Sequence, residues 1–238
     1  MELIEATSPN FDARKRPPDM AILHYTGMTS GDAALARLRD PEAKVSAHYL
    51  VEEDGRVFRL VPEARRAWHA GVSFWKGERD CNGVSIGVEI VNPGHEFGYR
   101  PFPEAQVEAV IALLDDIRSR WSIPDERIVA HSDVAPDRKT DPGELFPWRR
   151  LAEAGHGLWA EPPAPPGAAL SVGDEGPGVF VLQAGLTRLG YDSAPSGRYD
   201  EATRNIVAAF QRHWRPQQVD GVADGETRAR LVALLRMI

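Results

Sequence analysis

Short apolar runs that end directly in a polar side chain recur in the first two thirds of the chain. Residues 21–23 lead into His24, and residues 127–130 lead into His131. An apolar run of this length, bounded by a polar residue, is typical of a buried strand. We therefore predict two buried strands with a histidine at the tip of each.

The same part of the chain contains further strand and helix patterns. Residues 46–51 and the β-branched run at 84–91 are typical of strands, and Asp54-Gly55 is typical of a hairpin turn. Apolar residues at helical spacing over 107–121 predict an amphipathic helix, and a capping pattern at 29–32 predicts a shorter one. Strands that alternate with helices predict an α/β fold with a mixed central sheet flanked by helices.

A proline-rich segment divides the chain. Prolines fill four of the five positions from 162 to 166, where they remove amide donors and favour extended polyproline II structure. We interpret residues 161–170 as a linker between a domain at 1–160 and a smaller domain at 171–238. The smaller domain is near the lower size limit for independent folding.

The second domain shows helical periodicity only. Apolar residues share one face over 179–189, and again over 206–210 and 231–235. Asp200 and Asp224 each precede one of these helices at matching offsets, which indicates a weak internal duplication. We predict a small three-helix bundle at the C-terminus.

Composition narrows the classes of function and of site. The 28 Lys and Arg residues and 35 Asp and Glu residues give a formal net charge of −7, which argues weakly against nucleic acid as the main partner. Apolar runs are far shorter than the roughly 20 residues of a transmembrane span. The single cysteine, Cys81, excludes an intramolecular disulfide and a four-thiolate metal site, and we expect it to be buried packing. A metal would therefore depend mainly on histidine and carboxylate ligands.

Two histidines and one aspartate are the candidates for such ligands. His24 and His131 lie at the predicted strand tips, and Asp141 lies in a turn with proline and glycine. Two imidazoles and one carboxylate suit Zn²⁺ and leave a fourth position for water. A single strand-end histidine is more often structural, and the chain has seven histidines, so residue type alone leaves both interpretations open.

A stronger argument comes from the order of several motifs. They are His24-Tyr25-Thr26, Ile86-Gly87-Val88-Glu89, His131-Ser132-Asp133 and residues 138–143, together with 45–49, 67–71 and 146–148. Over about residues 20–150 the chain resembles the zinc-dependent N-acetylmuramoyl-L-alanine amidases of the amidase 2 family, in its AmiD- and AmpD-like branch. Over roughly 172–235 it resembles the peptidoglycan-binding three-helix domain, through motifs such as Leu189-Gly190-Tyr191 and residues 200–203.

The resemblance implies a role for each candidate. His24, His131 and Asp141 would hold Zn²⁺, which lowers the pKa of bound water towards about 7. Glu89 would be the catalytic carboxylate that moves a proton to the leaving nitrogen, and Lys139 would lie beside the reacting carbonyl. From the residues alone, Glu89 could equally pair with an arginine, and Lys139 could be a solvated loop charge.

Other side chains have less specific expectations. His48 and His69 would support a metal ligand or contact substrate, although a structural hydrogen bond is equally open. Three aromatic residues would form either a wall for the substrate or ordinary packing: Trp68, Phe74 and Trp75. Three histidines without a supporting pattern are expected at the surface: His95, His156 and His213.

The expected function is zinc-dependent hydrolysis of the amide bond between N-acetylmuramic acid and L-alanine in peptidoglycan or muropeptides. A non-catalytic peptidoglycan-recognition protein, which would lack Asp141 or Glu89, is the alternative, and a zinc hydrolase of another amide stays open. We expect a monomer in the periplasm or cell envelope, with a cytoplasmic alternative because the N-terminus has no secretory pattern. Removal of residues 161–238 is expected to weaken binding to sacculi and to spare small muropeptides.

Overall fold

The structure is a computed structural model that describes residues 2–163 and 167–238. Residues 164–166, in the predicted linker, lie outside this part of the chain, as does Met1. The strands of the described residues are β1 (Leu3–Glu5), β2 (Phe11–Ala13), β3 (Met20–Tyr25), β4 (Tyr49–Val51), β5 (Val57–Arg59), β6 (Arg65–Ala67), β7 (Ser85–Ile90) and β8 (Ile128–Ala130).

Six strands form one sheet in the order β1-β5-β4-β7-β3-β8, and β2 pairs with β6 in a separate antiparallel ribbon. Neighbours in the large sheet run parallel, except that β4 and β5 form the antiparallel hairpin predicted at Asp54-Gly55. Both central strands, β3 and β7, are almost wholly buried, which explains their continuous apolar character. The predicted mixed central sheet is confirmed.

Helices follow the strands and then form the C-terminal part alone. They are α1 (Gly31–Arg39), α2 (Cys81–Val84), α3 (Gly94–Phe97), α4 (Glu104–Arg120), α5 (His131–Val134), α6 (Trp148–Glu153), α7 (Pro177–Leu189), α8 (Glu201–Trp214) and α9 (Gly225–Leu235). Short 3₁₀ turns lie at Pro41–Ala43 and Asp125–Arg127. The predicted α/β class and the three C-terminal helices are confirmed.

Two layers of helix cover the two faces of the sheet. Because side chains alternate along β3, Ala21 joins a core with Leu114 of α4, whereas Ile22 joins a core with Leu186 of α7 and Phe210 of α8. The C-terminal helices therefore pack directly on the sheet. Their apolar residues and those of the sheet's second face form a single buried cluster.

The local differences from the predictions are small. The first residue of the run predicted as a strand over 84–91, Val84, is the last residue of the helical turn α2, and β7 is shorter than the run. Cys81 is buried in the shared cluster, in agreement with its expected packing role. Within residues 2–163 and 167–238, none of the helices combines the length and apolar character needed to cross a membrane.

Candidate active site

The predicted ligands meet at the carboxyl ends of neighbouring strands. His24 is the fifth residue of β3, and His131 follows β8 directly, so the parallel pairing of these strands places both at one edge of the sheet. Asp141 lies in the turn after α5, where its carbonyl accepts a hydrogen bond from the Ser132 amide at 3.0 Å. The three residues are separated by up to 117 positions and are brought together by the fold.

The three donor atoms form a compact triangle. Nδ1 of His24 lies 2.9 Å from Nδ1 of His131 and 3.1 Å from Oδ2 of Asp141, and the third side, between His131 and Asp141, is 2.9 Å. All three side chains are buried. Burial, together with the neighbouring His131, lowers the pKa of His24 to about 4, so the imidazole is neutral at pH 7.

Hydrogen bonds on the outer ring nitrogens fix the tautomers. Nε2 of His131 donates to the carbonyl of Ala70 at 3.2 Å, which leaves a lone pair on Nδ1. For His24 the chain of bonds is longer. The Ser85 hydroxyl donates to the Cys81 carbonyl at 2.6 Å, so towards His69 it acts as the acceptor, and Nε2 of His69 donates to it. Nδ1 of His69 therefore accepts a hydrogen bond from Nε2 of His24 at 3.0 Å, which leaves a lone pair on Nδ1 of His24.

This arrangement fits a divalent metal. Two imidazole lone pairs and a carboxylate oxygen point at one another without a proton between them, an arrangement that a cation stabilises. Tetrahedral Zn²⁺ with ligand bonds of about 2.0–2.1 Å places its ligand atoms roughly 3.3 Å apart, close to the separations in this triangle. A neutral His24 is also the protonation state that metal binding requires.

Glu89 lies beside this cluster on the adjacent strand. In the parallel register of β3 and β7 it is the partner of His24. Its Oε2 atom is buried and has no hydrogen-bond partner among the described residues. Burial raises the pKa of Glu89 well above its ordinary value, the charge of Asp141 raises it further, and Lys139 opposes both. A raised pKa next to a metal-type cluster is typical of a proton-transfer residue.

A cavity of about 400 Å³ opens over these residues. Besides the cluster and Glu89, its walls include Trp68, Arg138 and the half-buried Lys139. Trp68 is oriented by a 2.8 Å hydrogen bond from its indole nitrogen to Asp12. The site thus combines three ligand atoms, a carboxyl group for proton transfer and cationic side chains in one open pocket.

Comparison with known proteins identifies the family. The family model for N-acetylmuramoyl-L-alanine amidases matches residues 14–144, and the model for a peptidoglycan-binding domain matches 175–231. The N-acetylmuramoyl-L-alanine amidase AmiD of Escherichia coli (strain K12) is 40% identical over 230 residues, which cover 90% of this chain and 81% of AmiD. This chain belongs to the N-acetylmuramoyl-L-alanine amidase family.

Other relatives of this amidase agree. The 1,6-anhydro-N-acetylmuramyl-L-alanine amidase AmpD of Enterobacter cloacae is 35% identical over 163 residues, 60% of this chain and 85% of AmpD. A structure of E. coli AmiD with the substrate anhydro-N-acetylmuramic acid-L-Ala-D-γ-Glu-L-Lys matches with TM-score 0.78 and 37% identity over 98% of this chain and 91% of that one. A structure of Pseudomonas aeruginosa AmpDH3 with anhydromuramic pentapeptide matches with TM-score 0.76 and 30% identity, covering 93% and 92%. The predicted family and enzyme class are confirmed.

The supporting residues of the amidase divide into two groups. His69 contacts His24, whereas His48 accepts a hydrogen bond from the Gly87 amide at 2.9 Å and touches none of the three ligands. Of the three aromatic residues considered as a substrate wall, Trp68 alone lines the cavity. Trp75 is buried against Tyr191 of the C-terminal part, which is the packing alternative.

The sequence did not identify part of the cavity wall. Tyr25 follows His24 on β3, and its hydroxyl lies 3.0 Å from Nδ1 of His95 and 3.1 Å from the Thr140 hydroxyl. All three residues line the cavity. The position of Tyr25, next to a ligand at the end of a strand, was the available signal. His95 is partly exposed, as expected for a surface residue, but it lies at the site.

Two other histidines were wrongly expected at the surface. His156 and His213 are only 3% and 1% exposed. His213 lies in α8 with its Nδ1 atom 2.6 Å from a carboxylate oxygen of Asp133, a residue of α5. The partner is 80 positions away, so no local pattern in the sequence indicates the contact.

Proposed function

We propose that this amidase holds Zn²⁺ through His24, His131 and Asp141 and hydrolyses the amide bond between N-acetylmuramic acid and L-alanine. The observation that carries the proposal is the buried triangle of three donor atoms beside the partnerless carboxylate oxygen of Glu89. Bound Zn²⁺ would supply water of lowered pKa and would polarise the amide oxygen. The ligand Asp141 is present, and so is Glu89, which supports a catalytic protein over the non-catalytic recognition protein.

Glu89 is the proton carrier in this proposal. Its carboxylate takes the proton of the attacking water and returns it to the nitrogen of the leaving L-alanine, so one group serves as base and then as acid. Its position on β7, opposite His24 in the register, holds it on a rigid strand beside the cluster. A loop carboxylate would have to be ordered for each turnover, whereas Glu89 is ordered by the sheet.

Lys139 stabilises negative charge in this proposal. Addition of water to the amide carbon places negative charge on the former carbonyl oxygen, and a cation in the cavity wall favours that state. Lys139 lines the cavity two residues before the ligand Asp141. Trp68 and Tyr25 supply flat and hydroxyl-bearing surface for the sugar and peptide on either side of the scissile bond.

We propose muropeptides with an anhydro sugar as one substrate class. Support comes from the relatives, whose structures contain an anhydro-N-acetylmuramic acid peptide and an anhydromuramic pentapeptide. The match of residues 175–231 to a peptidoglycan-binding domain supports polymeric peptidoglycan as a second substrate and the cell envelope as the place of action. We further propose a monomer, since one chain supplies every residue of the site described above.

Mass spectrometry of the reaction products tests the function. The zinc-loaded protein is incubated with purified sacculi and, separately, with an anhydro-muropeptide, and free stem peptides beginning with L-alanine are expected from both. Glu89→Gln is the matched control because it keeps the shape of the side chain, should retain Zn²⁺ and should lose turnover. Release from the small fragment alone would indicate recycling of soluble muropeptides, and release from neither substrate would overturn the proposed function.

A further inference from the structure

Asp133 is a buried carboxylate that joins the two parts of the chain. It lies in α5, two residues after the ligand His131, and is 1% exposed. Oδ2 accepts hydrogen bonds from the Ala130 amide at 2.8 Å and from Nδ1 of His213 at 2.6 Å, and Oδ1 accepts one from the Tyr191 hydroxyl at 2.6 Å. Two of its three donors therefore come from the C-terminal helical part, residues 177–235.

Tyr191 is fixed by its surroundings. It is fully buried, and its ring packs edge-on against Trp75 with 4.9 Å between centroids. The preceding residue, Gly190, lies so close to the same indole that a Cβ atom there would come within 2.5 Å of it. The carbonyl of Gly190 also accepts a hydrogen bond from the Lys76 amide at 2.8 Å. The hydroxyl of Tyr191 is thereby aimed at Asp133 by contacts with the amidase part.

His213 is fixed as firmly. Its ring stacks between Trp148 of α6 and Trp214 of α8, each with 3.7 Å between centroids. Trp214 in turn donates from its indole nitrogen to the carbonyl of Leu158 at 2.9 Å. A ring held on both faces has little freedom to rotate away from Asp133.

The short helix α5 connects Asp133 closely to the metal site. α5 comprises four residues, and His131 is the first of them. The amide of Ser132, between the ligand and Asp133, donates to the carbonyl of the second ligand, Asp141. A shift of Asp133 would therefore be passed to His131 and Asp141 together.

We propose that the C-terminal helical part is a positioning element of the metal site, acting through Tyr191 and His213 on Asp133 and thereby on His131. On this view it is a component of the catalytic unit in addition to any role in wall binding. The inference rests on the proposed function only in taking His131 as a metal ligand. Tyr191 and His213 are positioning residues, since neither lines the cavity over the cluster.

Two substitutions in the full-length chain isolate the contact. Tyr191→Phe and His213→Phe each keep an aromatic ring and remove the donor to Asp133. Each variant is expected to bind Zn²⁺ about 10-fold more weakly, measured by competition with a chromogenic chelator. This is the low end of the roughly 10–100-fold effects of groups bonded directly to metal ligands, because these two residues act one step further out. With the soluble muropeptide, kcat is expected to fall and KM to stay nearly constant. His213→Gln, which restores an N–H donor, is expected to recover most of the affinity.

A core variant controls for stability. Leu186→Ala removes buried side-chain atoms from the same shared cluster and no hydrogen bond to Asp133. It is expected to lower the melting temperature while zinc affinity at 20 °C stays that of the wild type. Equal zinc affinity in Tyr191→Phe, His213→Phe and wild type would overturn the proposal and leave a stabilising contact only. A wild-type protein that binds zinc but cleaves no muropeptide would overturn the proposed function, and the zinc affinities would still decide the positioning role.

Discussion

At the scale of single residues, burial of the Glu89 carboxyl predicts how the free energy of unfolding depends on pH. Its pKa is raised in the folded protein by burial and by Asp141, so the folded metal-free protein holds a proton that the unfolded chain releases above about pH 4.3. The contribution of Glu89 to the free energy of unfolding therefore falls as pH rises from the unfolded-state pKa to the folded-state pKa.

Glu89→Gln has no ionisable group at this position, so near pH 4 the metal-free variant is expected to have the same free energy of unfolding as the wild type. At pH 7–8 the free energy of unfolding of the variant should exceed that of the wild type, since each unit of pKa difference between the folded and unfolded states corresponds to roughly 1.4 kcal/mol. Chemical denaturation with chelator present measures this difference. Glu144→Gln is a control in which the stability difference from wild type should have the opposite sign at pH 7–8, because the hydrogen bond from His95 lowers the pKa of Glu144. Identical pH profiles for Glu89→Gln and wild type would contradict the prediction.

Lys139 gives a second prediction at this scale, for the rate. Lys139→Ala is expected to reduce kcat on the soluble muropeptide about 100-fold with unchanged zinc affinity, because a charge-stabilising group acts on the transition state more than on the ligands. Lys76→Ala is the control, since Lys76 is also half-buried but pairs with Glu126 outside the cavity. Equal kcat for Lys139→Ala and Lys76→Ala would remove Lys139 from the mechanism.

The sequence supported some residue assignments better than others. The strand-tip positions of His24 and His131 followed from hydrophobic pattern, and their assembly with Asp141 was expected through the family resemblance. The tautomer of His24 depends on Ser85 and His69, whose contacts arise only when β7 lies beside β3. Local pattern carries no signal for such contacts.

At the scale of elements, the close approach of β7 to the histidines predicts a role for one glycine. A Cβ atom on Gly87 would lie 2.4 Å from Cγ of His69, far inside van der Waals contact. Gly87→Ala should therefore displace His69, release His24 from its outer hydrogen bond and weaken zinc binding by roughly 10–100-fold. Isothermal titration with Zn²⁺ measures the affinity.

Gly178→Ala is the matched control for Gly87→Ala. Gly178 lies in α7, where a Cβ atom would meet only Leu170 at 3.9 Å. This variant should retain zinc affinity and gain slightly in stability through helix propensity. Retention of wild-type affinity in Gly87→Ala would show that the outer hydrogen bond on His24 has no influence on the metal.

Element prediction succeeded where the pattern was strong and failed at the edges. β3, β8, the hairpin and α4 were predicted because burial on one or both faces dictates their apolar residues. β1 was not predicted, since Leu3–Glu5 is a three-residue edge strand, partly exposed and without clear alternation. The strand signal of the run at 84–91 did not reveal that Val84 belongs to the helical turn α2, because a turn of four residues is too short for helical periodicity to appear.

At the scale of the whole molecule, the proline-rich segment predicted a linker between two domains, and the sequence did not indicate how their apolar surfaces pack. The buried residues include one cluster that contains Met20 and Ile22 of the sheet together with Leu182 of α7 and Phe210 of α8. The apolar faces of the C-terminal helices were visible in the sequence, but a pattern cannot show which surface covers them. The packing therefore had to come from the three-dimensional structure.

A shared core predicts that the described parts unfold together. In metal-free protein, calorimetry should give one transition, and Leu182→Ala should destabilise the whole by about 2–5 kcal/mol, with roughly 2–4 °C in Tm for each kcal/mol. Amide hydrogens of β3 should lose protection by the same free energy as those of α7, because neither layer stays folded once the cluster opens. Val181→Ala, on the same helix but 69% exposed, is the control and should leave Tm nearly unchanged. Two transitions, or β3 protection unaffected by Leu182→Ala, would mean that the sheet and α4 are stable without the C-terminal helices and would contradict cooperative unfolding through the shared cluster.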